Sequence, residues 1–253
     1  MQNDFLNLNN KIAAVIGASS GIGRATALLL AKQGAAVVLC ARRADELAQT
    51  AALVREAGGR AETAAGDARQ PETHAAVVRT AEQAFGGLDI AVNNVGALGA
   101  YKPLAELSPD EWRDTLDSNL TTAFLGARSQ IPAMLRRGGG ALVFTSSFVG
   151  SSVALPNLSA YGTAKAALSA LAKGITADYA TQGIRANVVL SGGADTDMVG
   201  NTEQKAWATG LHAVKRIAQP EEIASVIAFL AGPAAGFVTG VSLFADGGNS
   251  SVK

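Results

Sequence analysis

Short runs that are apolar at nearly every position alternate along the chain with longer stretches whose apolar residues recur every three or four positions. The short runs predict seven strands: Lys11–Ile16, Ala35–Ala41, Ala61–Ala65, Leu88–Asn93, Ala141–Ser146, Ile184–Leu190 and Val241–Ala245. The periodic stretches predict helices over Gly21–Gln33, Ala44–Ala57, Pro71–Phe85, Ser108 to about Arg137, Ser159–Gln182 and Pro220–Ala231. Gly34, Gly58-Gly59 and Gly183 are stop signals. Ser108, Pro109 and Glu111 form a capping box with proline at the first helical position. Strands apolar on both faces need covering on both, so the pattern predicts an α/β fold with a seven-stranded parallel sheet between two helical layers. Residues 1–253 contain no linker or repeat and read as a single domain. The stretch 191–218 lacks a clear period and is too long for an ordinary connection. It reads either as a binding segment or lid, or as a surface helix pair.

Composition narrows the partners. There are 21 basic and 21 acidic residues, a net charge of zero, and no basic stripe, which argues against a nucleic-acid partner. The one cysteine, Cys40, cannot form an internal disulfide and sits in an apolar run, so it reads as a packed small hydrophobe in a reducing compartment. Met1–Asn10 is polar, and no stretch reaches the ~18 apolar residues of a membrane span. A cytoplasmic protein with no membrane partner is expected. His74 and His212 are isolated, so no metal site is expected and both read as surface residues.

Gly17-Ala-Ser-Ser-Gly21-Ile-Gly23 joins the first strand to the first helix. Glycines there permit a tight turn and close approach, and the helix start offers N–H groups to a diphosphate, as in a doubly wound Rossmann domain. Further on come Asn93-Asn94-Val95-Gly96, Asn119, Ser147 and Tyr161-x-x-x-Lys165. Tyr161 and Lys165 lie one helical turn apart on one face. A phenol is a poor acid–base catalyst at neutral pH, and a nearby ammonium is expected to lower its pKa. Ser147 offers a hydrogen bond to a developing oxyanion.

These motifs, in this order and spacing, resemble the classical short-chain dehydrogenase/reductase family from about Lys11 to Gly248. The resemblance implies a catalytic set of Asn119, Ser147, Tyr161 and Lys165, with Asn119 kinking its helix and holding a relay water. It also implies a dinucleotide held by Gly17, Ser19, Ser20, Gly21, Ile22, Gly23, Arg42, Arg43, Asp67, Ala68, Asn93, Gly96, Tyr161, Lys165, Gly192, Ala194 and Thr196. Asp67 would face the adenine and Thr196 the nicotinamide carboxamide. Relatives are usually homotetramers built on the helices at 108–137 and 159–182 and the C-terminal helix and strand. Val95 departs from the usual alanine and Ser191 from the usual proline. The spacing from Ser147 to Tyr161 is one residue longer than common.

The second strand ends Cys40-Ala41-Arg42-Arg43, with two guanidinium groups where an acid would select NAD. Arginine pairs with phosphate, so NADP(H) is the expected cofactor. Leu98, Tyr101, Phe148, Val153, Leu155, Met198 and Trp207 lie in segments expected to wall the substrate, which points to an uncharged small carbonyl or alcohol. The sequence thus predicts a ketoreductase or alcohol dehydrogenase. One alternative is a 3-oxoacyl-carrier protein reductase docking its carrier on Arg136 and Arg137, although Gln182 stands where such reductases commonly carry a basic residue. Another is a non-catalytic dinucleotide-binding regulator, which predicts a broken tetrad, whereas all four residues are present.

Overall fold

In a computed structural model, which describes residues 6–252, seven strands form one parallel sheet. Of the polar N-terminal segment, residues 1–5 lie outside the described residues. In chain order the elements are β1 (Ile12–Ile16), α1 (Gly21–Lys32), β2 (Ala36–Cys40), α2 (Ala44–Glu56), β3 (Arg60–Thr63), α3 (Pro71–Phe85) and β4 (Ile90–Asn93). There follow α4 (Pro109–Leu116), α5 (Thr122–Arg136), β5 (Gly140–Ser147), α6 (Ser159–Tyr179), β6 (Ile184–Ser191), α7 (Thr202–Gly210), α8 (Pro220–Ala231) and β7 (Ser242–Ala245).

The strand order is β3-β2-β1-β4-β5-β6-β7. The chain winds outward from β1 in one direction, then returns and winds from β4 in the other. The crevice beyond the carboxyl ends of β1 and β4 is therefore the switch point where such sheets bind ligands. Register brings those ends level: Ile16 pairs with both Cys40 and Asn93, and Ser147 pairs with Ser191.

Strand alternation divides the core. Ile12, Ala14 and Ile16 face a layer made with Val77 of α3, Met134 of α5 and Leu168 of α6. Ala13 and Val15 face Leu30 of α1, Leu47 of α2 and Ile227 of α8. Cys40 is fully buried at the end of β2, and burial pushes its thiol up to about 12, which leaves it a packing group.

Three expectations are corrected. The long helix over 108–137 is two helices, α4 and α5, joined by a π turn at Asp117–Thr121. The stretch 191–218 holds one helix, α7, after a 3-10 turn at Asp197–Val199, rather than a helix pair. His74 and His212 are buried, at 1% and 2% exposure. His74 bonds the Ala68 carbonyl through Nε2 (2.8 Å), and His212 bonds backbone on two segments. Isolation in sequence says nothing about burial when backbone can satisfy an imidazole.

Asp89 ties the amino ends of the central strands to α5. Its carboxylate accepts the Ile12 N–H (2.9 Å) and the Arg137 Nε–H (3.1 Å). Asp89→Ala strands a buried N–H and an arginine, and is expected to cost about 2 kcal/mol in urea unfolding. A loss below about 0.5 kcal/mol would contradict this role.

Candidate active site

The glycine turn leaves β1 with both Gly17 and Ala18 N–H groups on the Cys40 carbonyl (2.7 and 3.0 Å), which docks it against the end of β2. Gly17 is left-handed (φ 87°), and a Cβ on Gly23 would collide with the Gly17 carbonyl. The turn therefore tolerates side chains at neither position. The first turn of α1 carries no acidic residue and no capping side chain, so its N–H groups face the crevice at the positive end of the helix. A Cβ on Gly21 would stand 2.8 Å from Thr196 Cγ2, so the loop after β6 reaches the same cradle.

The two arginines diverge. Arg43 donates to the hydroxyls of Ser19 (3.0 Å) and Ser20 (2.7 Å) and pairs with Glu46 (3.4 Å), which places its guanidinium over the glycine turn. Arg42 is exposed, and its charge reaches Asp67. Asp67 is held below the usual carboxylate range chiefly by hydrogen bonds from Arg69, which forms an ion pair with it at 2.8 Å. Ala68 is buried beside it. At the end of β4, buried Asn93 exchanges hydrogen bonds with Gln130 (2.9 and 3.2 Å) and so fixes the strand to α5. Gln130 was not read as a site residue. Its signal was a lone amide on an otherwise apolar helix face.

Across the crevice, the π turn presents Asn119. Its amide donates to the carbonyls of Thr115 (2.9 Å) and Ala97 (2.8 Å), and its Oδ1 accepts the Ala97 N–H (3.2 Å). The extra residue of a π turn frees a carbonyl and turns a side chain out of the regular ladder. Here both partners are the same asparagine. The helix irregularity expected at Asn119 is thus present.

Tyr161 and Lys165 are buried on the face of α6 that packs on β5. Lys165 Nζ donates to the Thr145 carbonyl (3.0 Å), while Ser146 Oγ donates to the Lys165 carbonyl (2.7 Å). Ser146 is thereby committed to structure. Ser147 Oγ accepts the Val149 N–H (3.1 Å) and lies close enough to the Tyr161 phenol to bias its ionisation. Lys165 Nζ lies 5.9 Å from the centre of the Tyr161 ring. A Cβ on Gly96 would stand 2.8 Å from both Asn119 Oδ1 and Lys165 Nζ, so these groups border one space kept open by the missing side chain.

The electrostatics differ from the sequence expectation. Burial pushes the Tyr161 phenol up, with the neighbouring Ser147 hydroxyl only partly opposing it. The ammonium is bonded to a carbonyl and does not dominate. Burial lowers Lys165 to about 8.

Phe148, Leu158 and Tyr161 form a small apolar cluster with Val149, against which Val153, Leu155 and Leu211 pack. Leu98, Tyr101, Met198 and Trp207 are exposed around it, at 37–62%. Arg136 pairs with Glu82 at the surface, and Arg137 with the nearly buried Asp89.

A family model described as enoyl-(acyl carrier protein) reductase matches residues 17–250. The chain is 39% identical over 251 residues to a cyclohexanol dehydrogenase of Acinetobacter sp. (strain SE19), covering 99% of this chain and 98% of that one. The chain belongs to the short-chain dehydrogenase/reductase family. Its fold matches a gluconate 5-dehydrogenase from Burkholderia cenocepacia J2315 in complex with NADP and tartrate (TM-score 0.91, 32% identity, 99% of each chain). It also matches a 7α-hydroxysteroid dehydrogenase complexed with NADH and 7-oxo glycochenodeoxycholic acid (TM-score 0.92, 29% identity, 98% of this chain and 97% of that one). As a member of this family the protein is an oxidoreductase acting on CH–OH groups with a nicotinamide dinucleotide. Among the described residues no helix is long and apolar enough to cross a membrane, and no cluster of metal-ligating side chains occurs.

The buried ammonium gives a test. Folded Lys165 releases its proton near pH 8, whereas the unfolded chain holds it to about 10.5, so folding carries a cost below pH 8 that fades as pH rises through that window. That cost is about 3 kcal/mol at neutral pH. Lys165→Met is expected to stabilise the protein by roughly 1–2 kcal/mol, less than the full cost because Thr145 loses its donor, and to raise the melting temperature by about 3–6 °C. A fall in melting temperature would show that burial is not the dominant effect.

Proposed function

We propose that the protein is an NADP(H)-dependent alcohol dehydrogenase or ketoreductase that interconverts an uncharged secondary alcohol and its ketone, with Tyr161 as the acid–base. The observation that carries this reading is the burial of Tyr161 in an apolar cluster beside Ser147, with the buried Lys165 ammonium one helical turn on and 5.9 Å from the phenol ring centre. The substrate segment is the loop and helix at 191–218, whose Asp195 and Lys205 neutralise each other in an ion pair of 2.6 Å. The apolar cluster of Phe148, Val149 and Leu158 beside Tyr161 suits a hydrocarbon ring, the kind of skeleton named for the cyclohexanol and hydroxysteroid relatives.

The bound nicotinamide supplies or accepts the hydride. In reduction, the Tyr161 O–H gives its proton to the substrate oxygen, and Ser147 donates a hydrogen bond to the same oxygen as negative charge develops. Burial keeps the phenol protonated at neutral pH, ready for this step. The Lys165 ammonium limits the cost of the phenolate left behind, and Asn119, bordering the space at Gly96, holds the water that returns the proton. Alcohol oxidation needs the phenolate, so its rate is expected to climb with pH above neutrality.

The choice of NADP(H) rests on Arg43 with Ser19 and Ser20, a guanidinium and two hydroxyls of the kind that bind a ribose phosphate. Arg42, exposed and near enough for its charge to bear on Asp67, has the lesser part.

Initial rates with NADPH and NADH over cyclic, linear and carboxylated ketones test the reading. Tyr161→Phe is expected to lower kcat at least 100-fold with cofactor binding retained. Arg43→Ala is expected to raise the KM for NADPH roughly tenfold and leave that for NADH unchanged, with Arg42→Ala milder. An enzyme that prefers NADH, or a carboxylated substrate, would contradict the cofactor or the substrate assignment respectively.

A further inference from the structure

His212 lies just after α7 and belongs to none of the family motifs. Its ring joins three segments. Nδ1 lies 2.7 Å from the Asp246 carbonyl, and Nε2 lies 3.1 Å from the Gly193 N–H. A carbonyl can only accept and an N–H can only donate, so Nδ1 carries the proton and the imidazole is neutral. The ring also meets Phe148 edge-on at 5.6 Å, next to Ser147.

The loop it holds is also tied to Ala218, through the Asp195 N–H on the Ala218 carbonyl (2.8 Å) and a bridge between Ala194 and Ala218. Gly192 and Gly193 follow β6, which ends at Ser191, with no proline and two residues of high backbone freedom. The glycines are the seat of the ring: a Cβ on Gly192 would stand 2.8 Å from His212 Cε1, and one on Gly193 would stand 3.1 Å from Nε2. Gly192 N–H reaches the Ala245 carbonyl (2.9 Å), and the Gly193 carbonyl accepts the Ala218 N–H (2.8 Å). The Gly193 N–H itself is taken by the imidazole. At the other end, Asp246 is rigid: its carboxylate accepts the N–H groups of Gly248 (2.9 Å) and Ser250 (2.8 Å). Asn249 donates to the Leu211 carbonyl (2.5 Å), and Val214 N–H to that of Gly247 (3.2 Å).

We infer that His212 is a positioning residue: its neutral imidazole clasps the loop carrying Ala194 and Thr196 to the C-terminal turn and sets where that loop meets the cofactor. The inference rests on the dinucleotide reading given under Proposed function. It assigns the C-terminal turn, outside the crevice, a part in cofactor affinity.

Two side chains separate the ring nitrogens. Glutamine places an acceptor near the Nε2 position, and asparagine keeps a donor near Nδ1 but cannot reach Gly193. Amide exchange of the peptide spanning 191–199 in the free protein, and NADPH binding by fluorescence, are measured on both variants. His212→Asn, which drops the Gly193 end, and His212→Gln, which drops the donor to Asp246, are both expected to speed exchange and weaken NADPH binding roughly five- to tenfold. Gly193→Ala, which pushes the ring aside with every polar group intact, is expected to follow the asparagine variant and covers the case in which that variant folds poorly. Exchange equal to wild type in either variant, or faster exchange with unchanged NADPH binding, would each overturn the inference. A wild type that binds neither NADPH nor NADH fails the functional reading instead, and the exchange arm still decides whether the clasp exists.

Discussion

A cation removed from water must find oxygen or give up its proton, and Lys165 is such a cation. Its ammonium is buried under α6 and reaches the Thr145 carbonyl on β5, while Ser146 reaches back to the Lys165 carbonyl. These two bonds, crossing in opposite directions, fix the roll of α6 against the sheet. Tyr161, one turn earlier on the same face, is thereby delivered to Ser147 at the strand's end. The space at Gly96 and the Asn119 amide border the same ammonium. The apolar surroundings that make this cation costly also hold the phenol protonated, so the two groups share one environment.

The sheet was legible in the sequence because parallel strands buried on both faces read as unbroken apolar runs, and their glycine stops are local. The four candidate catalytic residues stand out because the family resemblance gives them fixed stations along the chain. What sequence could not show was phase. The π turn at Asp117–Thr121 looks like uninterrupted helix in the pattern, since helical sequence runs on both sides of it and no residue type marks the change of phase. His212 was misread because its partners, Gly193 and Asp246, are backbone groups at a distance along the chain, and backbone leaves no mark in composition. The tyrosine's environment was misjudged for a related reason: spacing revealed the neighbouring charge, whereas the depth of burial comes from packing.

The cofactor side shows the same division. An Arg-Arg pair after β2 is a plain sequence signal, yet its two members do different things. Arg43 bonds the glycine turn through two hydroxyls, whereas Arg42 is exposed and only its charge bears on Asp67. The distinction depends on α2 starting at Ala44, which leaves Arg43 as the last extended residue before the helix.

The π turn has a consequence for inheritance. Beyond Asn119 every residue of α5 is rotated by one extra step relative to α4, about 100°. Gln130, Ile131 and Met134 reach the sheet only because of that offset. Loss of one residue from the turn would restore an ordinary helix and at the same time swing this whole set away from β4 and β5. The irregularity is thus locked in from both sides, by the amide it exposes and by the core it phases, so drift can reshape the loops around the crevice far more readily than this one turn.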